Sequence, residues 1–228
     1  MAQHALVLAT LAVGRTKIRG MPDNNEIRAI AAVLRELGAI IVVQEDGIWA
    51  VDGVGVGGLR EPDTVLDLGG AASALPLLLG MLATHPITAI VTGGAALRRQ
   101  RVTTLTHPLS LFGASFVGRE GDFLPLTVRG SVHPLPIECR APGASVKSAM
   151  LVAALNAPGR SSVIEAQPSG DHFEKLLRCF GVMLDIDELG DGGRRSSVEG
   201  QSELLPADLD LLGDPPAAAG SPGLGANR

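Results

Sequence analysis

Three stretches of this chain repeat one pattern in different residues, and that repetition constrains the fold more than any single motif does. At 34–41, 109–116 and 176–183 the last turn of an amphipathic helix runs into a glycine (Gly38, Gly113 or Gly181) and then into an apolar strand. Glycine is the residue that suits the left-handed position just past a helix C-terminus. Each strand leads into a polar turn holding Gly47, Gly121 or Gly192, and a returning strand follows at 48–51, at 124–128 and, more weakly, at 195–199. That order is the hairpin pattern.

A second shared pattern lies upstream of each copy: a helix, a small-residue turn and a strand. The helices fall at about 5–12, 73–83 and 146–156, and each is apolar nearly all round, as a buried helix must be. The unit therefore reads βαβαββ, with the first strand of copy one missing. The marker glycines stand 75 and 68 positions apart, too far for a solenoid and right for a compact unit. The expected fold is α/β (α+β): three βαβαββ repeats, about 1–60, 61–131 and 132–202, sharing a core of buried helices within a domain spanning 1–212. Residues 203–210 could add one strand. The tail, 213–228, is Gly, Pro and Ala with little to bury and is expected to be disordered, because ordering costs about 1–2 kcal/mol per residue.

Composition supports this. Hydrophobic residues make up 46% of the 228 and aromatics only 3%, so the core must be Leu, Val, Ile and Ala. The net charge is -5, and no basic run exceeds the pairs Arg98-Arg99 and Arg194-Arg195, which argues against nucleic acid as a partner. Cys139 and Cys179 form no disulfide framework, and His4, His85, His107 and His133 have no metal-ligand spacing. The apolar stretch 5–13 is short and lacks a basic leader, so neither a signal peptide nor a membrane span is expected. A reduced cytoplasmic protein with no metal and no cofactor is the simple reading.

The local sequences Gly53-Val54-Gly55-Val56-Gly57-Gly58-Leu59, Leu66-Asp67-Leu68-Gly69, Val146-Lys147-Ser148-Ala149, Leu155-Asn156-Ala157-Pro158-Gly159 and Asp171-His172 with Glu174 occur in a telling order. In that order and spacing the chain resembles, over about 3–219, the first domain of the 5-enolpyruvylshikimate-3-phosphate synthases. The sister family acting on UDP-N-acetylglucosamine matches less well. Gly213-Asp214-Pro215 resembles the stretch where that family crosses into a second domain.

The resemblance implies an enolpyruvyl-transferase-type domain that holds the phosphate and hydroxyls of shikimate 3-phosphate, with phosphoenolpyruvate bound between two domains and proton transfer needing groups from both. It also locates the site. The opening Lys-Ser pair falls before Met1, and His4 stands at the family's Arg. In the turn that contacts phosphoenolpyruvate, Gly70-Ala71-Ala72-Ser73 keeps only the Ser73 hydroxyl, and Pro76 replaces an Arg. Gln100 replaces the phosphoenolpyruvate-binding Arg, with Arg99 or Arg101 one residue away as substitutes. Gly143-Ala144-Ser145 replaces the phosphate loop, and Ser169-Gly170-Asp171-His172 has lost its Arg.

Remnant substrate contacts are thus Ser73, Ser145, Ser169, Arg99, Arg101, Gln100 and His4, with no catalytic residue among them. Ser145, Ser148 and Ser169 are the best anion contacts left. Lys147 is read as structural, Asp171-His172 as a helix cap, and Arg98, Arg99 and Arg101 as a solvated face. Each charged hydrogen bond to a buried phosphate is worth about 1.5–3 kcal/mol. Losing three or four predicts weak binding of shikimate 3-phosphate and phosphoenolpyruvate, and no activity without a second-domain chain. The alternatives are half of a split enzyme, or a non-catalytic relic or interaction domain.

Overall fold

The computed structural model describes residues 1–211, and the tail expected to be disordered lies outside them. Unit one runs α1 (Ala2–Leu11), β1 (Val13–Arg19), α2 (Asn25–Glu36), β2 (Ile40–Val43) and β3 (Trp49–Val54). Unit two runs β4 (Leu66–Asp67), a 3-10 turn (Ala72–Ala74), α3 (Leu75–Ala83), β5 (Thr88–Thr92), α4 (Thr103–Ser110), β6 (Ser115–Arg119) and β7 (Phe123–Arg129). Unit three runs β8 (Glu138–Arg140), α5 (Ala144–Ala154), β9 (Gly159–Glu165), α6 (His172–Cys179), β10 (Leu184–Glu188) and β11 (Arg194–Gly200), and the last strand is β12 (Asp208–Asp210).

Local signals explain the elements. Asn24 caps α2, its side chain accepting from the Ile27 N–H at 3.0 Å, and the helix carries Glu26 in its first turn and Arg35 in its last, on the favourable ends of the dipole. Gly38, Gly113 and Gly181 all take positive φ, as the repeat required. α1, α3 and α5 are buried along nearly their whole length and form the shared core, while α2, α4 and α6 bury one face. The third hairpin is firmer than its sequence suggests: β11 is seven residues long and pairs with both β9 and β10. Its polar Ser197 hydroxyl is matched across the sheet by Ser162 at 2.8 Å.

Each unit makes one four-stranded sheet. In unit two the order is β4-β5-β7-β6 and in unit three β8-β9-β11-β10, with the first pair parallel and the rest antiparallel. Unit one has the order β12-β1-β3-β2, so the strand missing from the start of the first copy is supplied from the end of the described chain. β12 pairs parallel with β1 in the register Lys17↔Asp208, Ile18↔Leu209 and Arg19↔Asp210. Val13 N–H donates to the Leu204 carbonyl at 2.9 Å, the Ala207 N–H donates to Thr16 Oγ1 at 3.2 Å, and Leu204 and Leu209 are buried.

A further threefold feature has no counterpart among the repeats seen in the sequence. Gly53, Gly130 and Gly200 end the last strand of each unit against the C-terminal end of its buried helix. A Cβ there would lie 2.3 Å from the Ala9 and Ala12 carbonyl oxygens, 1.9 Å from that of His85, and 1.8 Å from that of Ala157. Backbone atoms cannot swing aside as side chains do, so the strand itself would have to shift. Gly130→Ala is therefore expected to cost at least the roughly 1–3 kcal/mol of an overpacked core, read as a lower urea midpoint at unchanged slope. An unshifted midpoint would contradict the close approach.

Candidate functional site

The first turns of the three buried helices meet at one end of the core around a cavity of about 130 Å³. His4 comes from α1, Ser73 from the 3-10 turn before α3, Pro76 and Leu77 from the start of α3, and Ala144, Ser145 and Ser148 from α5. The first N–H groups of a helix have no partner within it, and the helix dipole places partial positive charge there. Three such ends around one space favour an anion, although none of the lining side chains carries a full charge. The polar groups facing it are hydroxyls and one imidazole.

Each has a definite state. Ser73 Oγ donates to Gln3 Oε1 at 2.5 Å, and Gln3 Nε2 donates onward to Glu26 Oε2 at 3.4 Å, so only the lone pairs of Ser73 remain free. Ser148 is 6% exposed, and its hydroxyl has no hydrogen-bond partner among the described residues. The His4 ring packs on Phe173 with centroids 5.1 Å apart, and its Nδ1 is buried without a partner. Burial, aided by the N-terminal positive charge, lowers the His4 pKa to about 4, so the imidazole is neutral near pH 7.

On α5 lies the one buried cation among the described residues. Lys147 Nζ, 1% exposed, donates to Glu174 Oε1 at 2.6 Å and to the Gly170 carbonyl at 3.2 Å, and forms an ion pair with Glu165 Oε2 at 3.0 Å. Two carboxylates absorb its charge, and it faces the scaffold as the resemblance implied. Ser169 joins this network: its hydroxyl donates to Glu165 Oε1 at 2.5 Å, and it does not line the cavity.

A family model described as EPSP synthase (3-phosphoshikimate 1-carboxyvinyltransferase) matches residues 1–222. The chain belongs to the EPSP synthase family. It is 47% identical over 225 residues to the 3-phosphoshikimate 1-carboxyvinyltransferase of Rhodospirillum rubrum, covering 96% of this chain and 50% of that protein. It is 44% identical over 221 residues to the one from Novosphingobium aromaticivorans, with the same two coverages. The solved EPSP synthase from Acinetobacter baumannii superposes with a TM-score of 0.82 at 29% identity, over 92% of this chain and 47% of that one. The chain thus spans about half the length of the curated relatives it matches, and the expected mixed α/β fold is that of an EPSP synthase domain.

Within this family fold the sequence-derived residues separate into two groups. His4, Ser73 and Ser145 come together at the cavity. Arg99, Gln100 and Arg101 sit on an exposed segment at the end of a second 3-10 turn, Leu97–Arg99, and do not line it. Arg101 is occupied elsewhere, bonded to Asp122 at 2.7 Å with its guanidinium 5.5 Å over the Phe123 ring, which Arg119 also approaches at 5.3 Å. Asp171 stands at the N-cap position of α6 but makes no capping bond. Its carboxylate pairs instead with Lys175 at 3.1 Å, which holds its pKa below the usual value. Gln3 and Phe173, which set the states of Ser73 and His4, gave no signal in the sequence, because each partner lies on a different helix far away in the chain.

No helix among the described residues is long and apolar enough to cross a membrane.

Proposed function

We propose that these residues form the shikimate-3-phosphate-binding half of an EPSP synthase whose anion site has weakened, and that by itself the chain transfers no enolpyruvyl group. The observation that carries this reading is the cavity at the three helix N-termini, in the family fold but with no charged side chain in its lining. A dianionic phosphate is held by hydroxyls, helix N-termini and a cation together. Here the first two are present and the nearest buried cation, Lys147, is neutralised by Glu165 and Glu174. Three or four missing charged bonds at about 1.5–3 kcal/mol each weaken binding by about three or more orders of magnitude.

Calorimetry with shikimate 3-phosphate is expected to give a dissociation constant above the micromolar range, and addition of phosphoenolpyruvate to release no phosphate. Micromolar binding would overturn the weakened site, and steady phosphate release would overturn the inactivity. A second reading is that these residues work only beside the second half that the relatives carry, supplied in the test as another chain. Phosphate release that appears only on mixing with such a chain would support it, since closure of two domains excludes water from the reacting groups.

A further inference from the structure

We infer that the outer face of the third sheet carries a binding site for a free α-amino acid, recognised as a zwitterion: its carboxylate by Arg195 and a buried pair of serines, its ammonium by Asp187. The site shares no residue with the cavity at the helix N-termini.

Strand register builds the face. β9 and β11 place Ser162 opposite Ser197, β10 and β11 place Asp187 opposite Arg195, and β8 sets Glu138 beside Ser162. Opposed residues lie on the same side of a sheet. These side chains line a cavity of about 370 Å³, within the usual range for a small-molecule site.

Three polar groups here lack the partner their setting calls for. Ser162 and Ser197 are 8% and 1% exposed, and the 2.8 Å bond between them uses one of their two hydroxyl protons, so the other has no acceptor among the described residues. Arg195 Nε is buried without a hydrogen bond, its ion-pair partner Glu138 Oε2 standing off at 3.5 Å. The Asp187 carboxylate makes no ion pair or hydrogen bond among the described residues, although it stands opposite Arg195 in the ladder. Opposite charges so placed attract each other, yet this guanidinium reaches the other way, across β9 toward β8.

The fold does not require the arrangement. Ser197 stands three residues before Gly200, and the corresponding places before Gly53 and Gly130 hold Ala50, opposite Lys17, and Thr127, opposite Ile90. Neither pair can form a bond between hydroxyls.

Charge selects the ligand. The walls carry Arg160 and Arg195 against Glu138 and Asp187, a balance that favours a molecule bearing one charge of each sign. The donors without acceptors lie at the floor, where a carboxylate, which only accepts, satisfies them with the help of the guanidinium charge. The free acceptor, Asp187, matches an ammonium. Opposed residues hold their Cβ atoms about 4.5–5.5 Å apart, the scale of a head group whose two charges are separated by one carbon. Pro136 and Ile137 supply an apolar wall for an aliphatic side chain.

L-valine is the probe, with isobutylamine and isovalerate as the same skeleton carrying only the ammonium or only the carboxylate. In amide NMR of the unmodified chain, L-valine is expected to give saturable shifts on β8 to β11 around Ser162 and Ser197. Isobutylamine, which lacks the group that the buried donors hold, should bind at least about tenfold more weakly. Isovalerate loses only the exposed contact to Asp187 and should bind about threefold more weakly. Asp187→Asn should weaken L-valine by the same factor and leave isovalerate unchanged, whereas Arg195→Gln should weaken L-valine and leave isobutylamine unchanged. No saturable shift with L-valine, shifts centred on another face, or a half-ligand that binds as tightly as L-valine would each overturn the inference, and all three are read on the unmodified chain.

Discussion

Lys147→Met is expected to lower the stability of the fold by about 3–5 kcal/mol, the usual cost of removing one partner from a buried ion cluster. The ammonium lies between Glu165 and Glu174, and all three side chains are within 2% of complete burial. Without it, two carboxylates remain in the core with only serine hydroxyls to solvate them, from Ser169 and Ser196. Domains typically have about 5–15 kcal/mol in total, so this one substitution removes a large part of the margin. Urea unfolding followed by circular dichroism would measure it, with the triple variant Lys147→Met, Glu165→Gln, Glu174→Gln as the control. That variant is expected to recover most of the loss, because it leaves no buried charge unpaired. A loss below about 1 kcal/mol for the single variant would mean that water reaches the cluster.

Ending the chain after Ser202 is expected to abolish cooperative unfolding altogether. The change removes β12, the Leu204 bridge to Ala12 and two buried leucines, each worth about 2–5 kcal/mol when truncated. Together that is about 4–10 kcal/mol, comparable to the whole stability of a domain, before counting the ladder bonds that β1 loses. Leu209→Ala alone should cost about 2–5 kcal/mol and keep a sigmoidal transition. A shortened chain that still melts cooperatively would show that β12 is an ornament on the sheet rather than its edge.

Much of the architecture is legible in the amino-acid sequence because it is repeated there. Gly38, Gly113 and Gly181 mark the ends of three equivalent helices, and their positive φ values follow from the one backbone geometry that a helix C-terminus favours. The all-round apolar helices had to be central, since a helix with no polar face has no other place to go. Where local chemistry is ambiguous, so is the pattern. Residues 195–199 look like a poor strand because Ser196 and Ser197 are polar, yet both are buried, Ser197 paired to Ser162 and Ser196 to Glu174. Those partners are distant in the chain, so no window of sequence contains them.

The site divides the same way. That His4, Ser73 and Ser145 belong together was legible from the resemblance, since each opens one of the three buried helices. That Ser169 turns to Glu165, that Arg101 is taken up by Asp122 and Phe123, and that Ser73 spends its proton on Gln3 are facts about side-chain partners. Partner choice depends on which donors and acceptors are left over once the helices have packed.

The sequence by itself determined three copies of a βαβαββ unit, their helix ends, their turns and which helices are buried, all consequences of short-range geometry and hydrophobic pattern. It also showed that the first copy lacked a strand and that 203–210 could form one, but not that the two belong to each other. Nothing local in Asp208-Leu209-Asp210 names β1, near the opposite end of the chain, as its neighbour. Only the folded core leaves the edge of β1 with unpaired N–H and C=O groups beside an apolar slot for Leu209, and a buried backbone edge cannot remain unpaired. The tertiary structure therefore completed the first sheet, joining the end of the described chain to its beginning.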